Sequence, residues 1–429
     1  MQTQPMGGVG RETLPPHFRH NFFALLTDYV FFGVAYSFMN PSTVLPAFAR
    51  TLTAAEPLVG MVSTVMAAGW LLPQLFAGAL MARKPRKKPF LVRAIFIGRP
   101  VYFLLALTAW VGLTRFPGLM LALFLVGVGW FNVLDGIAAV AWFDIMAGAI
   151  PPTRRARLVG AGQLVGGVLG IAVGGIVGVI MESPALPYPH NYALIFALAG
   201  LSLLPSTIAL TTVREIVKDP APASGTSLSL LRELREVWRD WPDFRRLVFV
   251  RWLFGLFGLA LPFYILHAKE VVGLPEAVVG WFLSAQMLGG ILASVALGWM
   301  SERKGPRTAI WAGAIANLTC PVLALAIHLT GARWLALTYP LVYFAYGFLN
   351  NSWMMGFFNY LLEITPEDRR TLFVGLYNTL GGVLIPTSLL GGLLLRATSY
   401  PTLFIVTAVG VAAGLWVSLG LKDTRRSDD

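Results

Sequence analysis

The stretch "AGALMARKPRKK", residues 77–88, closes an apolar run with five cations in six positions, interrupted only by Pro85. A relative of it, "ALGWMSERKGPR", closes another apolar run at residues 296–307. Two further segments correspond at a similar separation. "EPLVG" (56–60) matches "EAVVG" (276–280) at an offset of 220, which also brings Gly78 onto Gly298 and Arg83 onto Arg303. "PPTRRARLVGAGQLVGGVL" (151–169) matches "PEDRRTLFVGLYNTLGGVL" (366–384) at an offset of 215. The chain is therefore two copies of one unit.

Each unit is a set of apolar runs. Of the 429 residues, 56% are hydrophobic and only 13% charged, with a mean hydropathy of +0.68. A soluble domain is about 45–50% apolar and about 25% charged. The excess is segmental, in twelve runs at roughly 21–48, 57–82, 90–113, 117–149, 158–181, 191–213, 247–267, 276–300, 308–329, 334–362, 371–396 and 400–421. A helix needs about 20 apolar residues to cross a bilayer core. Backbone groups in lipid must be satisfied within the segment, so these runs read as α-helices. Barrel strands would alternate in polarity, and these do not. An all-α membrane protein of twelve transmembrane helices is expected, arranged as two six-helix, pseudo-symmetric bundles.

Charge sets the expected topology. With the N-terminus inside, 26 of the 33 Lys/Arg fall on inner segments, five fall on outer loops, and Arg99 and Arg251 lie within spans. That is a strong positive-inside bias. The net charge of +12 thus reflects topology, and no nucleic-acid partner is expected. Both termini are expected in the cytoplasm, with the chain a multi-pass protein of the cell membrane. The first twenty residues lack the apolar core and small-residue site of a cleaved signal. A single cysteine, Cys320, excludes an internal disulfide and any cysteine-pair metal motif.

Residues 214–246 are the one long polar interruption. "KDPAPASGTS" reads as a linker. "LSLLRELREVWRDW" places Leu231, Leu234, Trp238 and Trp241 on one helical face, as expected of an amphipathic helix on the inner membrane surface. The expected division is a first bundle at 1–213, a cytoplasmic linker at 214–246, and a second bundle with a short tail at 247–429. Six spans per half give both copies the same orientation, and parallel repeats of this kind characterise alternating-access transporters.

The chain resembles the major facilitator superfamily over nearly its whole length. The family's loop signature, G-x-L-x-D-R-x-G-R-R, is matched by Gly78, Leu80, Arg83, Arg86 and Lys87, and again by Gly298, Glu302, Arg303, Gly305 and Arg307. The first copy departs from it, with Ala82 at the acid and Pro85 at the glycine. The resemblance implies that the acid helps lock the halves against a facing helix N-terminus. Glu302 can take that role near Arg157 to Gly160, for roughly 0.3–1 kcal/mol. Asp144 is the expected partner of Arg83, and Glu363 of Arg303. These five form the expected gate; the alternative is that the basic turns set topology alone.

Gly162, Gly166, Gly170, Gly174 and Gly178 recur every fourth residue in span five, a small-residue stripe that lets another helix approach closely. Within it, Gly166, Gly170, Gly174 and Gly175 resemble the family's antiporter motif G-x-x-x-G-P-x-x-G-G, with Ile171 in place of the proline. Helix packing accounts for the glycines equally well.

The resemblance implies a cavity between spans one, four, seven and ten. Span ten carries a polar-aromatic face at Tyr339, Tyr343, Tyr346, Asn350, Trp353 and Phe357, and the 215 offset maps Asn350 onto Asp135. Asp135 lies about 15 residues, or roughly 22 Å, from the inner end of its span. An ionisable group at that depth is functional by default, so Asp135 is the first candidate for proton coupling. Asp28 is the second, although Arg99 lies at its depth and the two can pair structurally. Tyr36, Asn40, Asn132, Tyr343, Tyr346, Asn350 and Trp353 are the candidate solute-binding residues. Arg251 is expected to snorkel to the interface, and His267 and His328 to be interfacial.

The function expected is a secondary active transporter of a small organic solute, coupled to protons, by alternating access. An aromatic and amide-rich face with few fixed cations favours export of an amphipathic compound, by antiport, over nutrient-uptake symport or lipid flipping. No P-loop motif indicates direct ATP drive. Scattered histidines and one cysteine supply no catalytic or metal constellation, so no enzyme and no cofactor is expected. The expected partners are solute, protons and the bilayer, with the chain a monomer.

Overall fold

The computed structural model describes residues 14–82, 84–217, 227–366 and 369–423. Among them no strand occurs. The first six helices are α1 (Phe18–Phe38), α2 (Glu56–Ala82), α3 (Lys88–Trp110), α4 (Pro117–Ala149), α5 (Pro152–Glu182) and α6 (His190–Thr212). The second six are α7 (Pro242–Val271), α8 (Val278–Lys304), α9 (Pro306–Thr330), α10 (340–363), α11 (Leu372–Ala397) and α12 (Tyr400–Ser418). All except α10 are, by length and composition, long and apolar enough to span a membrane. In α10 the helix passes through a π segment at Trp353–Phe358, which shifts its hydrogen-bond register in mid-run.

Spans one and seven differ in their bounds from the sequence expectation. Span one does not run to residue 48: α1 stops at Phe38 and a short helix, Val44–Leu52, follows. Asn40 makes the break, because its Oδ1 accepts from the backbone N of Ser42 at 2.9 Å and of Thr43 at 3.1 Å, while Pro41 has no N–H to give. The short helix then drives Phe48 into the rings of Phe124, Tyr192 and Phe196, each 5.0 Å away. Span seven begins at Pro242 rather than 247. The linker helix, Ser227–Asp240, packs on the second half. Val237 is buried, Trp238 meets Phe249 and Trp252, and Trp241 meets Phe373 edge-on at 5.2 Å. Leu234, Val237, Trp238 and Trp241 on its apolar side are thus packed on the core. At the other end of the linker, the Glu215 carboxylate accepts the backbone N–H groups of Lys87 and Lys88 and caps α3.

The halves meet unequally at their two ends. At the end away from the chain termini, α2 lies against α11 and α5 against α8, backbone to backbone. A methyl on Gly60 would collide with the carbonyl of Ser388, and one on Gly280 with the carbonyl of Gly174. At the end carrying the termini and the basic turns, Gly78, Gly375, Gly160 and Gly298 on the same four helices each face open space. The structure is closed at one end and open at the other. The halves also differ in regularity. α7 is interrupted by a 3-10 turn at Leu256–Leu259 and α11 by one at Gly382–Leu384. Irregular backbone inside a membrane is tolerated where it lines a cavity, and both turns do.

Candidate functional site

Three lobes of space meet at Tyr36, between the halves. The first, about 350 Å³, lies within the first half and is lined by Asp28, Phe32, Trp70, Arg99, Asp135 and Trp142 among others. The second, about 540 Å³, runs from Gln163 on α5 to Gln286 and Ser294 on α8. The third, about 530 Å³, is bounded by Trp70, Asn132 and Asp135 on one side. On its other side it meets the interrupted turns of α7 and α11 at Gly258, Leu261, Leu384 and Thr387. Each volume falls in the range of about 300–1,000 Å³ typical of small-molecule sites.

The two predicted carboxylates have opposite surroundings. Asp28 is 5% exposed and pairs with Arg99, Nη2 to Oδ1 at 3.5 Å. It also accepts from the hydroxyl of Ser206 and from Trp142 Nε1 at 2.7 Å. Arg99 is held in turn by Thr207 Oγ1 at 2.7 Å. It stands where α3 changes segment, because Pro100 has no N–H to continue the ladder. Every charge in this group has a partner, as burial requires. Asp135 has none: it lines two of the lobes and makes no hydrogen bond or ion pair with any described residue. Arg99 and Asp28 act on it only through space.

The other candidates divide between wall and seal. Tyr36 lines all three lobes and stacks on Phe32 at 6.3 Å. Asn132 lies on the wall of the third, its Nδ2 donating to the Val128 carbonyl at 2.8 Å. Asn40 and Tyr343 are instead buried in the seal. Asn40 Nδ2 donates to Gln286 Oε1 at 3.2 Å, and Tyr343 Oη to the Ser42 carbonyl at 3.2 Å, both between halves. Tyr346 stacks on Phe257 at 5.4 Å. Arg83 and the side chains of Asn350 and Trp353 lie outside the described residues. The remaining gate residues, Asp144, Glu302, Arg303 and Glu363, are exposed at the open end, and Arg303 lies over the Trp299 ring at 5.3 Å.

Along the glycine stripe, a methyl on Gly162 would lie 2.5 Å from the Tyr29 ring and one on Gly166 4.0 Å from Val30, both on α1. One on Gly170 would lie 2.9 Å from Met287, one on Gly174 would collide with Ser284, and one on Gly178 would sit 3.4 Å from Ala277. The stripe therefore passes from α1 to the facing half. Two expectations are corrected. Arg251 does not snorkel: its guanidinium lies over the Tyr377 ring at 4.3 Å and donates to the Tyr377 carbonyl. His267 is fully buried, bonded at 3.0 Å to both Tyr339 Oη and His328 Nδ1, not interfacial.

Gln286 and the pair Arg50–Glu270 were not anticipated. Arg50 donates to Glu270 from Nε at 2.6 Å and from Nη2 at 3.0 Å, joining the halves at the closed end. The 220 offset places Arg50 on Glu270 and is the signal that was available in the sequence. Nothing in the sequence pointed to Gln286.

Comparison with known proteins agrees with this architecture. Relatives in Mycobacterium tuberculosis and Mycobacterium bovis, both uncharacterized, are 22% identical over 302 residues, which is 68% of this chain and 57% of theirs. The chain thus spans a little over half the length of these relatives. Among solved structures, a D-xylose-proton symporter superposes with a TM-score of 0.68 at 16% identity, covering 94% of this chain and 99% of its own. A peptide transporter in complex with sulfate gives 0.68 at 14%, covering 94% and 93%. A nucleoside transporter gives 0.65 at 13%, covering 95% and 99%. At these identities the likeness establishes the fold. The profile of the Major Facilitator Superfamily matches residues 27–387, and the chain belongs to that family of membrane transporters.

Proposed function

We propose that the protein is a secondary transporter that exports a small, amphipathic organic solute in exchange for protons, with Asp135 as the coupling group. The observation that carries this is the contrast between the two carboxylates. Asp28 is bound by Arg99, Ser206 and Trp142, whereas Asp135 faces the cavity without a partner among the described residues. An unpaired carboxylate in a low-dielectric site is costly when ionised, so it favours a proton until the solute or water replaces it. The two bundles and the linker work as one alternating-access unit. The cavity is complete within one chain, which fits a monomer.

The charge bias supports a cytoplasmic location for both termini, and on that reading the described state is open inward. The basic turns and the acids near them are then the parts that close the inner face when the outer seal opens.

Proton-driven transport in proteoliposomes tests the coupling. A panel of neutral, cationic and anionic amphipaths is offered under an imposed pH gradient. Asp135→Asn keeps the shape of the side chain and removes the titration. It should abolish gradient-driven accumulation and spare gradient-independent exchange. A variant that keeps the wild-type pH dependence moves the coupling elsewhere, to Asp28 first.

A further inference from the structure

We infer that the cavity selects an organic cation, whose charge sits beside Asp135 and against the rings of Tyr36 and Trp70. The inference rests on reading the cavity as the transport site and adds the class of solute.

Charge balance is the first argument. Among the described residues lining the three lobes, the charged ones are Asp28, Arg99 and Asp135. Asp28 and Arg99 neutralise one another. One negative charge is left over, and it belongs to the carboxylate that no described side chain engages. An anionic solute would enter against that field and would find no free cation to receive it. A neutral solute would leave the charge uncompensated. One positive charge, either a proton or an organic cation, balances the site.

The walls supply the second argument. Phe32, Tyr36 and Trp70 line both of the lobes that contain Asp135. Tyr36 is 38% exposed and Trp70 41% exposed, so both rings are open to the space. Aromatic faces attract cations through the ring quadrupole, most strongly where water is excluded. The opposite wall, at Gly258, Leu261, Ile385, Thr387 and Ser388, is uncharged and half apolar. Such a surface suits the body of an amphipath rather than a small, fully hydrated ion.

Proton and cation then compete for one carboxylate, and entry of the cation releases the proton to water. Arg99 and Asp28 are the titratable groups that act on Asp135, and its own charge is felt by Tyr36 and Tyr102. Trp70 on α2 and Thr387 and Ser388 on α11 carry no charge. Binding should therefore weaken as pH falls, through Asp135.

Tetraphenylphosphonium and tetraphenylborate have the same shape and opposite charge, which makes them the probes. Equilibrium dialysis of the purified full chain, against matched empty micelles, should show saturable binding of the phosphonium and none of the borate. Binding should drop at least tenfold in Asp135→Asn and in Tyr36→Leu. It should persist in Asp135→Glu and Tyr36→Phe, which also serve as folding controls. Lowering the pH should weaken binding in the wild type and leave the residual binding of Asp135→Asn unchanged. The inference is overturned by borate binding that matches the phosphonium, or by phosphonium binding that is indifferent to Asp135→Asn. Loss of gradient-driven transport of a neutral solute in Asp135→Asn, with no phosphonium bound, would retain the coupling and discard the cation.

Discussion

Arg50 and Glu270 occupy equivalent positions in the two repeats and pair with each other across the line that relates them, through hydrogen bonds of 2.6 and 3.0 Å. The offset of 220 that aligns residues 56–60 with 276–280 also carries residue 50 onto 270. Each is flanked by a local pair, Arg50 with Glu56 at 3.7 Å and Lys269 with Glu276 at 2.6 Å. The duplicated position has taken opposite charges in the two copies. Its bidentate geometry is that of the stronger ion pairs.

The first prediction concerns this pair. Arg50 is 25% and Glu270 35% exposed, so solvent screens them, and the pair is worth about 0.2–1 kcal/mol. A term of that size still moves an equilibrium between conformations of similar energy. Arg50→Ala should raise the labelling of Ser284→Cys by an impermeant maleimide added outside, by up to about fivefold for about 1 kcal/mol. Reversing both charges, Arg50→Glu with Glu270→Arg, should restore the wild-type rate. Equal labelling in all three backgrounds would remove the pair from the seal.

Helix approach gives two substitutions with opposite effects. Gly280→Ala places a methyl against the Gly174 carbonyl, an overpacking that costs about 1–3 kcal/mol in the closed seal. Gly298→Ala places one in open space, and is harmless until the inner ends of α5 and α8 come together. Accessibility of Ser284→Cys from outside should rise with the first and fall with the second. Changes of the same sign in both would show that these helices do not close alternately at their two ends.

Within the first half, breaking the buried group is expected to be structural. Asp28 and Arg99 are 5% and 7% exposed. Removing one partner of a buried pair costs about 3–5 kcal/mol, because the other charge is stranded. Arg99→Met should lower the unfolding temperature in detergent, and the double variant Asp28→Leu, Arg99→Met should recover part of the loss. A single variant as stable as the wild type would leave Asp28 free for the coupling role.

Orientation is checked by impermeant thiol labelling in whole cells and in inverted vesicles. Arg86→Cys, on the exposed basic turn, should react only in inverted vesicles, and Pro187→Cys, between α5 and α6, only in whole cells. The reverse pattern would put the open end of the cavity outside. Cys320 is fully buried and hydrogen-bonded, so it should not contribute.

The amino-acid sequence alone determined the spans, their number, the duplication and the charge asymmetry, because these follow from local rules. Apolar length decides what crosses a bilayer, and Lys/Arg placement decides which loops stay inside. It also located Asp135, since a carboxyl in an apolar run is visible without any neighbours. What a side chain touches depends on rotation and tilt of whole helices, and only the tertiary structure decided that. For Asp28, depth suggests only a pairing with Arg99, and the structure adds Ser206 and Trp142 as further donors. Asn40 and Tyr343 read as cavity residues by type and spacing, yet Gln286 of α8 meets Asn40 and the Ser42 carbonyl meets Tyr343, which places both in the seal. His267 looked interfacial by depth, but His328 of α9 and Tyr339, just before α10, cover it. Which end is open is a property of how two bundles lean on one another. Each arrangement buries equivalent faces of the repeat, so the difference between them is not written in any one span.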